Sequence, residues 1–138
     1  MITAVDTNVL LDVFVGDPAF GSGSLAALRA CLADGPLVAC EIVWAEVCAA
    51  FETPGAAHRA LEVIPVAYEP LGRAAAVRAG SAWREYRRTG GPRDRVIADC
   101  LVGAHAVEQA DRLLTRDRGF HRLVFAGLEI VDPSIGGG

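Results

Sequence analysis

The sequence contains no lysine, so the 13 residues counted as lysine or arginine in its 138 are all arginine. Arginine can bind a phosphate through two parallel N–H donors, whereas lysine offers a point charge. The 17 acidic residues leave a net charge of −4, which taken alone argues against a nucleic-acid partner. Exclusive use of arginine is compatible with a phosphate ligand, and codon bias in a GC-rich genome would explain it equally well.

Long apolar runs and signal-peptide features are also missing. No stretch approaches the roughly 18 residues of a membrane-spanning helix, and the N-terminus lacks the basic segment of a signal peptide. The four cysteines, at positions 31, 40, 48 and 100, form no C-x-x-C pair, so we interpret them as small buried side chains. We therefore expect a cytoplasmic protein with no membrane contact.

Charge is distributed unevenly along the chain. Between Arg73 and Arg122 there are 11 arginines and 6 acidic residues, a net charge of +5, while the remainder carries 2 arginines and 11 acidic residues, a net charge of −9. The average of −4 therefore conceals a basic segment. A basic segment is compatible with a phosphate backbone as ligand.

Apolar segments of strand length alternate with helical ones along the chain. We expect strands at about 2–5, 37–40, 66–68, 112–115 and 128–131, and helices at about 9–14, 24–33, 42–52, 56–64, 70–88, 93–109 and 117–122. This alternation predicts an α/β protein whose parallel sheet is covered by helices on both faces. Residues 1–133 should form a single domain and residues 134–138 a flexible tail.

Two aspartates follow predicted strands. Asp6 comes directly after the first strand and Asp117 shortly after the fourth. In parallel sheets, ligands collect at the carboxyl ends of the strands, so both carboxylates should lie at the edge where a ligand binds. For each aspartate alone, a helix N-cap is the ordinary alternative.

Two further acids lie on predicted helices. Glu46 is surrounded at i±3 and i±4 by Ile42, Val43, Ala49 and Ala50, so we expect a deeply buried helix with an unpaired carboxylate. Such a group needs a metal or an arginine from elsewhere in the chain.

Asp99 lies at the edge of an apolar helix face, one turn before Gly103, where another backbone could approach closely. A surface ion pair with Arg95 at i−4 is the alternative for Asp99.

Four acids that meet without a counter-charge would repel one another, and a hard divalent cation reverses that repulsion. Mg²⁺ prefers carboxylates and water, and often keeps positions for phosphate oxygens. Such a site can activate water and neutralise a transferring phosphate. Asp6, Glu46, Asp99 and Asp117 are therefore candidate ligands of a phosphodiester hydrolase.

Four segments resemble the motifs of PIN domains in order and spacing. They are AVDTNVLLD at 4–12, WAEV at 44–47, RVIADCLVGAHA at 95–106 and LTRDRGF at 114–120. Each motif is weak alone, but together they span nearly the whole chain. The compact length resembles VapC, the toxin of bacterial and archaeal toxin–antitoxin pairs.

The resemblance implies a three-layer α/β/α fold, a homodimer, RNA cleavage with Mg²⁺ or Mn²⁺, and an antitoxin partner. It implies that the four acids are catalytic and bind the metal, with the Thr115 hydroxyl beside them. Asn8 would orient Asp6 or hold the start of the helix. The arginines that we expect at the RNA backbone, with a solvated face as the alternative, are Arg93, Arg95, Arg116, Arg118 and Arg122.

Other functions remain open. His58, His105 and His121 lie on different predicted helices, so we do not expect the histidine pair of a metal-free ribonuclease. A housekeeping RNA-processing nuclease, a DNA nuclease or a non-catalytic nucleic-acid-binding module would keep the same fold. A phosphatase acting through a phospho-aspartate is disfavoured, because it needs a second aspartate where Asn8 stands.

Overall fold

The computed structural model describes residues 1–90 and 96–134. The strands of these residues are β1 (Thr3–Val5), β2 (Leu37–Ala39), β3 (Val66–Tyr68), β4 (Arg112–Leu114) and β5 (Ile130–Val131). The helices are α1 (Thr7–Phe14), α2 (Gly21–Asp34), α3 (Glu41–Ala49), α4 (Pro54–Val63), α5 (Arg73–Arg88), α6 (Ile97–Gln109) and α7 (Arg118–Val124).

The five strands form one parallel sheet in the order β3-β2-β1-β4-β5. Strand β1 lies at the centre, where Val5 pairs with Leu114 of β4. The residues that follow these two strands therefore emerge side by side at one edge of the sheet. This arrangement confirms the predicted three-layer α/β/α fold.

The core has two parts. The larger one surrounds the sheet, and its fully buried side chains include Val5, Leu10, Leu37 and Leu113. The second lies between α5 and α6, which meet through small side chains and are closed at one end by aromatic ones. Its buried members are Ala75, Ala79, Tyr86, Cys100, Ala104, Phe120 and Phe125.

Helices α3 and α5 are shorter than predicted for local reasons. Helix α3 ends at Ala49 rather than near 52, and the Thr53 hydroxyl caps α4 by accepting the Ala56 N–H at 3.1 Å. Helix α5 begins at Arg73 rather than near 70, because Glu41 accepts the backbone N–H of Leu71 at 2.9 Å and so binds the preceding segment to α3.

Some predicted features fall on residues that are not described. The expected start of α6 at 93 or 94 lies outside the described residues, and the described part of α6 begins at Ile97 with Val96 as its N-cap. Residues 135–138 of the predicted tail also lie outside them. Within 1–90 and 96–134, no helix is long and apolar enough to cross a membrane. The cysteines are free, and three of the four are buried.

Candidate active site

Asp6 occupies the junction between β1 and α1, at the carboxyl edge of the sheet. Its Oδ1 accepts the Thr7 N–H at 2.8 Å, which caps α1. Its Oδ2 accepts the Thr115 hydroxyl at 2.8 Å and the Asn8 amide at 3.4 Å. Asp6 therefore caps α1, as one of its two alternatives predicted, and its second oxygen is oriented by donors from two elements.

The protonation of Asp6 reflects opposing influences. Burial would raise its pKa, but the neighbouring His121 imidazole and the hydrogen bonds from Thr115 and Thr7 outweigh that effect. The pKa of Asp6 consequently lies below its ordinary value. The group is an oriented anion at neutral pH, which suits it to a cation.

Thr115 and Asn8 join the two segments that follow β1 and β4. The fully buried Thr115 hydroxyl donates to Asp6 and accepts the Asp117 N–H at 2.9 Å. The Asn8 side-chain oxygen accepts the Arg116 N–H at 3.1 Å. These contacts place Asp117, the N-cap residue of α7, in the same neighbourhood as Asp6.

Glu46 is exposed, so the expectation of a buried, unpaired carboxylate was wrong. Helix α3 buries Val43 and Val47 and turns Glu46 outward. There the Thr7 hydroxyl donates to Glu46 Oε1 at 2.7 Å. Because the backbone N–H of Thr7 binds Asp6, this threonine links the second predicted acid to the first.

Asp99 lies in the first turn of α6 and is half-buried, with its Oδ2 accepting the Val96 N–H at 3.3 Å. One turn later, a Cβ at Gly103 would collide with the Phe125 ring and lie 2.9 Å from Nδ1 of His121. The close neighbours of Gly103 are therefore aromatic side chains, not the backbone that the sequence suggested. The alternative pairing of Asp99 with Arg95 involves a residue outside the described ranges.

His121 lies beside Asp6, a contact that sequence reasoning missed. Its ring is buried between Phe120 and Phe125, and its Nε2 lies 3.6 Å from Asp6 Oδ2. The position could have been noticed, because i+4 from Asp117 in a helix faces the same way as the start of that helix. His58 pairs with Glu62 on the surface at 3.0 Å, and His105 lies 3.1 Å from Glu69, so neither contributes to this contact.

Two of the predicted RNA-binding arginines, Arg116 and Arg118, lie beside acidic side chains. Arg116 donates twice to Asp12, at 2.7 and 2.9 Å, and its guanidinium lies 4.0 Å from the centre of the Phe20 ring. Arg118 lies 3.7 Å from Asp132. Both therefore have acidic partners within the chain, while Arg93 and Arg95 lie outside the described residues.

The acidic side chains at this edge carry oxygen atoms, the type of ligand that Mg²⁺ prefers. Among residues 1–90 and 96–134, no three His, Cys, Asp or Glu side chains are grouped so as to hold a metal ion. Mg²⁺ is usually held by one or two carboxylates together with waters and substrate phosphates. Asp6 is an oriented carboxylate, and residues that adjoin it connect it to Glu46 and Asp117.

Comparison with known proteins places this arrangement in context. The sequence matches the PIN domain family over residues 3–126. A search of curated proteins gave no match.

Among solved structures, the chain resembles a chain of VapBC2 from Rickettsia felis, which was solved bound to a DNA fragment from their promoter. The TM-score is 0.75, and the identity is 18% over 96% of this chain and 98% of the other. It also resembles VapBC-1 from nontypeable Haemophilus influenzae (TM-score 0.73, 17% identity, 97% and 99% covered) and FitAcB from Neisseria gonorrhoeae (0.69, 20%, 96% and 98%). At these identities the likeness concerns the fold.

Proposed function

The chain belongs to the PIN-domain family, and from that membership we propose that it is a Mg²⁺- or Mn²⁺-dependent endoribonuclease. PIN domains are generally nucleases. The observation that carries the proposal is the environment of Asp6. An anionic carboxylate at the carboxyl edge of the central strand is oriented by Thr7, Asn8 and Thr115 and connected through Thr7 to a second carboxylate, Glu46.

The chemistry needs a divalent cation, which lowers the pKa of bound water and neutralises charge on the phosphate. Asp6 would bind the cation, with Glu46, Asp99 and Asp117 as the further acidic ligands or as bases toward water. Thr115 keeps the Asp6 carboxylate in one orientation and holds the Asp117 backbone. Because Thr7, Asn8 and Thr115 already orient Asp6, little reorganisation of this carboxylate would be needed when substrate arrives.

We propose that the cell uses this nuclease as the toxin of a toxin–antitoxin pair. The structures that share its fold include VapBC and FitAB complexes, three of them bound to DNA. A cognate antitoxin would lay a C-terminal segment along the early helices and place an Arg or Lys beside Asp6 and Asp99. Exposed apolar side chains at Val15 and Phe20 and the aromatic side chain of Phe51 border that surface. A homodimer is part of the same proposal.

The decisive measurement is cleavage of single-stranded and looped RNA by the purified protein with Mg²⁺, with Mn²⁺ and with EDTA. We expect 5′-phosphate ends and no cleavage in EDTA. Asp6→Asn, Glu46→Gln, Asp99→Asn and Asp117→Asn should each remove most activity, and pairs should add little, because residues of one site act as a unit. Undiminished cleavage in EDTA would contradict the proposal.

Growth experiments separate the toxin from its alternatives. Expression of the wild type should slow growth, and co-expression of the neighbouring small open reading frame should restore it. A harmless wild type that cleaves RNA in vitro would favour a housekeeping PIN nuclease, and cleavage of DNA in preference to RNA would favour a DNA nuclease. Binding of RNA without cleavage in either metal would favour a non-catalytic module.

A further inference from the structure

The arginines at the C-terminal end of α5 form a basic surface that the proposed chemistry does not use. Arg84, Arg87 and Arg88 are exposed, and together with Trp83 they lie at helical spacings of three and four residues. Successive residues of a helix are rotated by about 100°. Starting from the buried Tyr86, the next side chains around the helix axis are those of Trp83, Arg87, Arg84 and Arg88, in that order. We call Arg84, Arg87 and Arg88 the α5 arginine strip.

Two members of the strip carry charge that the described protein does not neutralise. Arg84 and Arg87 form no ion pair with any residue in 1–90 or 96–134, although Arg87 lies over the Trp83 ring at 5.8 Å. Arg88 has a loose contact with Glu85 at 3.6 Å. Arg78 on the same helix differs, because it is bound to Glu108 at 2.6 Å.

A chain of ring contacts connects this end of α5 with the candidate site. Tyr86 packs edge-to-face on Phe120 at 5.4 Å between ring centres, and Phe120 packs on His121 at 5.2 Å. His121 in turn lies 3.6 Å from Asp6. The buried side of this end of α5 is therefore three contacts away from the carboxylate proposed to bind the metal, and the exposed arginine strip lies farther around the helix from Tyr86.

We propose that the α5 arginine strip binds the phosphate backbone of the single-stranded RNA that enters the site. The inference rests on the proposed function, because it assigns a surface to that substrate. It replaces the expected contacts at Arg116 and Arg118, which are paired with Asp12 and Asp132. Guanidinium groups suit phosphate oxygens, and counterion release makes each such contact sensitive to salt. Trp83 positions Arg87 through its ring face.

The test measures RNA binding by the full chain carrying Asp6→Asn, so that the probe stays intact. The probe is a short fluorescein-labelled single-stranded RNA, followed by anisotropy at several salt concentrations. The variant is Arg84→Gln with Arg87→Gln. The matched control is Arg73→Gln, an exposed arginine at the opposite end of the same helix, about 16 Å away at 1.5 Å per residue.

Loss of two phosphate contacts should weaken binding about 10- to 30-fold near 0.1 M salt and reduce the salt slope by about 1.4, at about 0.7 per contact. The control should bind as the parent does. The double variant Arg84→Lys with Arg87→Lys should retain part of the affinity and of the slope that the glutamine variant loses. In the Asp6 wild-type background, the double variant should raise KM and leave kcat within about twofold, because it leaves the carboxylates untouched.

The outcomes separate this inference from the proposed function. If the double variant bound RNA like the Arg73→Gln control, the strip assignment would be wrong even if the wild type cleaves RNA with Mg²⁺. Absence of RNA binding by the Asp6→Asn parent would also overturn it. A wild type that fails to cleave RNA, with the binding loss still confined to the double variant, would refute the nuclease and support the strip as an RNA-binding surface.

Discussion

Arg116 binds the Asp12 carboxylate with two of its nitrogens, Nε at 2.7 Å from Oδ2 and Nη2 at 2.9 Å from Oδ1. The carboxylate is buried and also accepts the Ser24 hydroxyl at 2.8 Å. Because Arg116 directly follows Thr115 and Asp12 lies in α1, this pair holds the β4–α7 segment against the helix that Asp6 caps. We interpret Arg116 as a residue that assembles the site.

The Asp12–Arg116 pair should therefore contribute to stability. Asp12→Asn leaves the guanidinium without its counter-charge, and we expect a loss of about 2–3 kcal/mol in the free energy of unfolding, since removing one partner of a buried, hydrogen-bonded pair is costly. Urea unfolding measures it. Asp34→Asn is the control, because its pair with Arg112 has an exposed carboxylate and should contribute less than about 1 kcal/mol. Equal losses in the two variants would contradict the assignment.

The Thr115 hydroxyl should matter for activity out of proportion to its size. Thr115→Val removes the donor to Asp6 and the acceptor of the Asp117 N–H. We expect RNA cleavage to fall about 10- to 100-fold, the usual effect of losing a group that orients a metal ligand. Thr115→Ser keeps the hydroxyl and should retain most activity. If the Thr115→Val and Thr115→Ser variants were equally active, the hydroxyl would not be orienting Asp6.

The positions of Asp6 and Asp117 at one edge of the sheet could be predicted from the sequence, because they follow from the parallel sheet. Asp6 and Asp117 come after strands, and parallel strands present their carboxyl ends at one edge. That β1 and β4 are neighbours could not be derived from local patterns, since strand order is set by packing between distant segments. Without that neighbour relation, the contact of Asp6 with Thr115 could not be foreseen.

Glu46 was wrongly predicted to be buried because alanine residues surround it in the sequence. Helix α3 looked apolar on all sides because Ala45, Ala49 and the following Ala50 surround the acid, but all three are exposed. Alanine loses little when exposed to water, so it does not indicate which face of a helix is buried. His121 was missed for a different reason: the helical spacing places it on the same face as Asp117, but its contact with Asp6 depends on how α7 packs beside α6.

Stability should depend on pH through His105. Burial lowers the pKa of His105, and the nearby carboxylates of Glu69 and Glu41 counteract this effect only partly. The unfolded chain therefore binds a proton more readily than the folded one once the pH falls below the ordinary histidine pKa of about 6.5. The contribution is fully present above that pH and is lost as the pH falls toward the lower pKa of the folded state.

His105→Gln should remove this contribution. The measurement is the free energy of unfolding in urea at about pH 7.5 and about pH 5.5, for the wild type and the variant. We expect the wild type to lose more stability between the two values than the variant does. Parallel pH dependences would show that His105 is not held in its neutral form.

Two glycines in neighbouring helices provide a matched test of how closely α6 approaches α7. A Cβ at Gly103 would collide with the Phe125 ring and lie 2.9 Å from Nδ1 of His121, whereas a Cβ at Gly80 in α5 would meet nothing within 4 Å. Alanine favours a helix by about 1 kcal/mol over glycine at either position, so Gly80→Ala should stabilise the protein. Gly103→Ala should instead destabilise it by about 1–3 kcal/mol through overpacking, and it should reduce RNA cleavage by pressing His121 toward Asp6. Thermal unfolding of the two variants measures the difference, and stabilisation by both would mean that the rings beside Gly103 can move away at little cost.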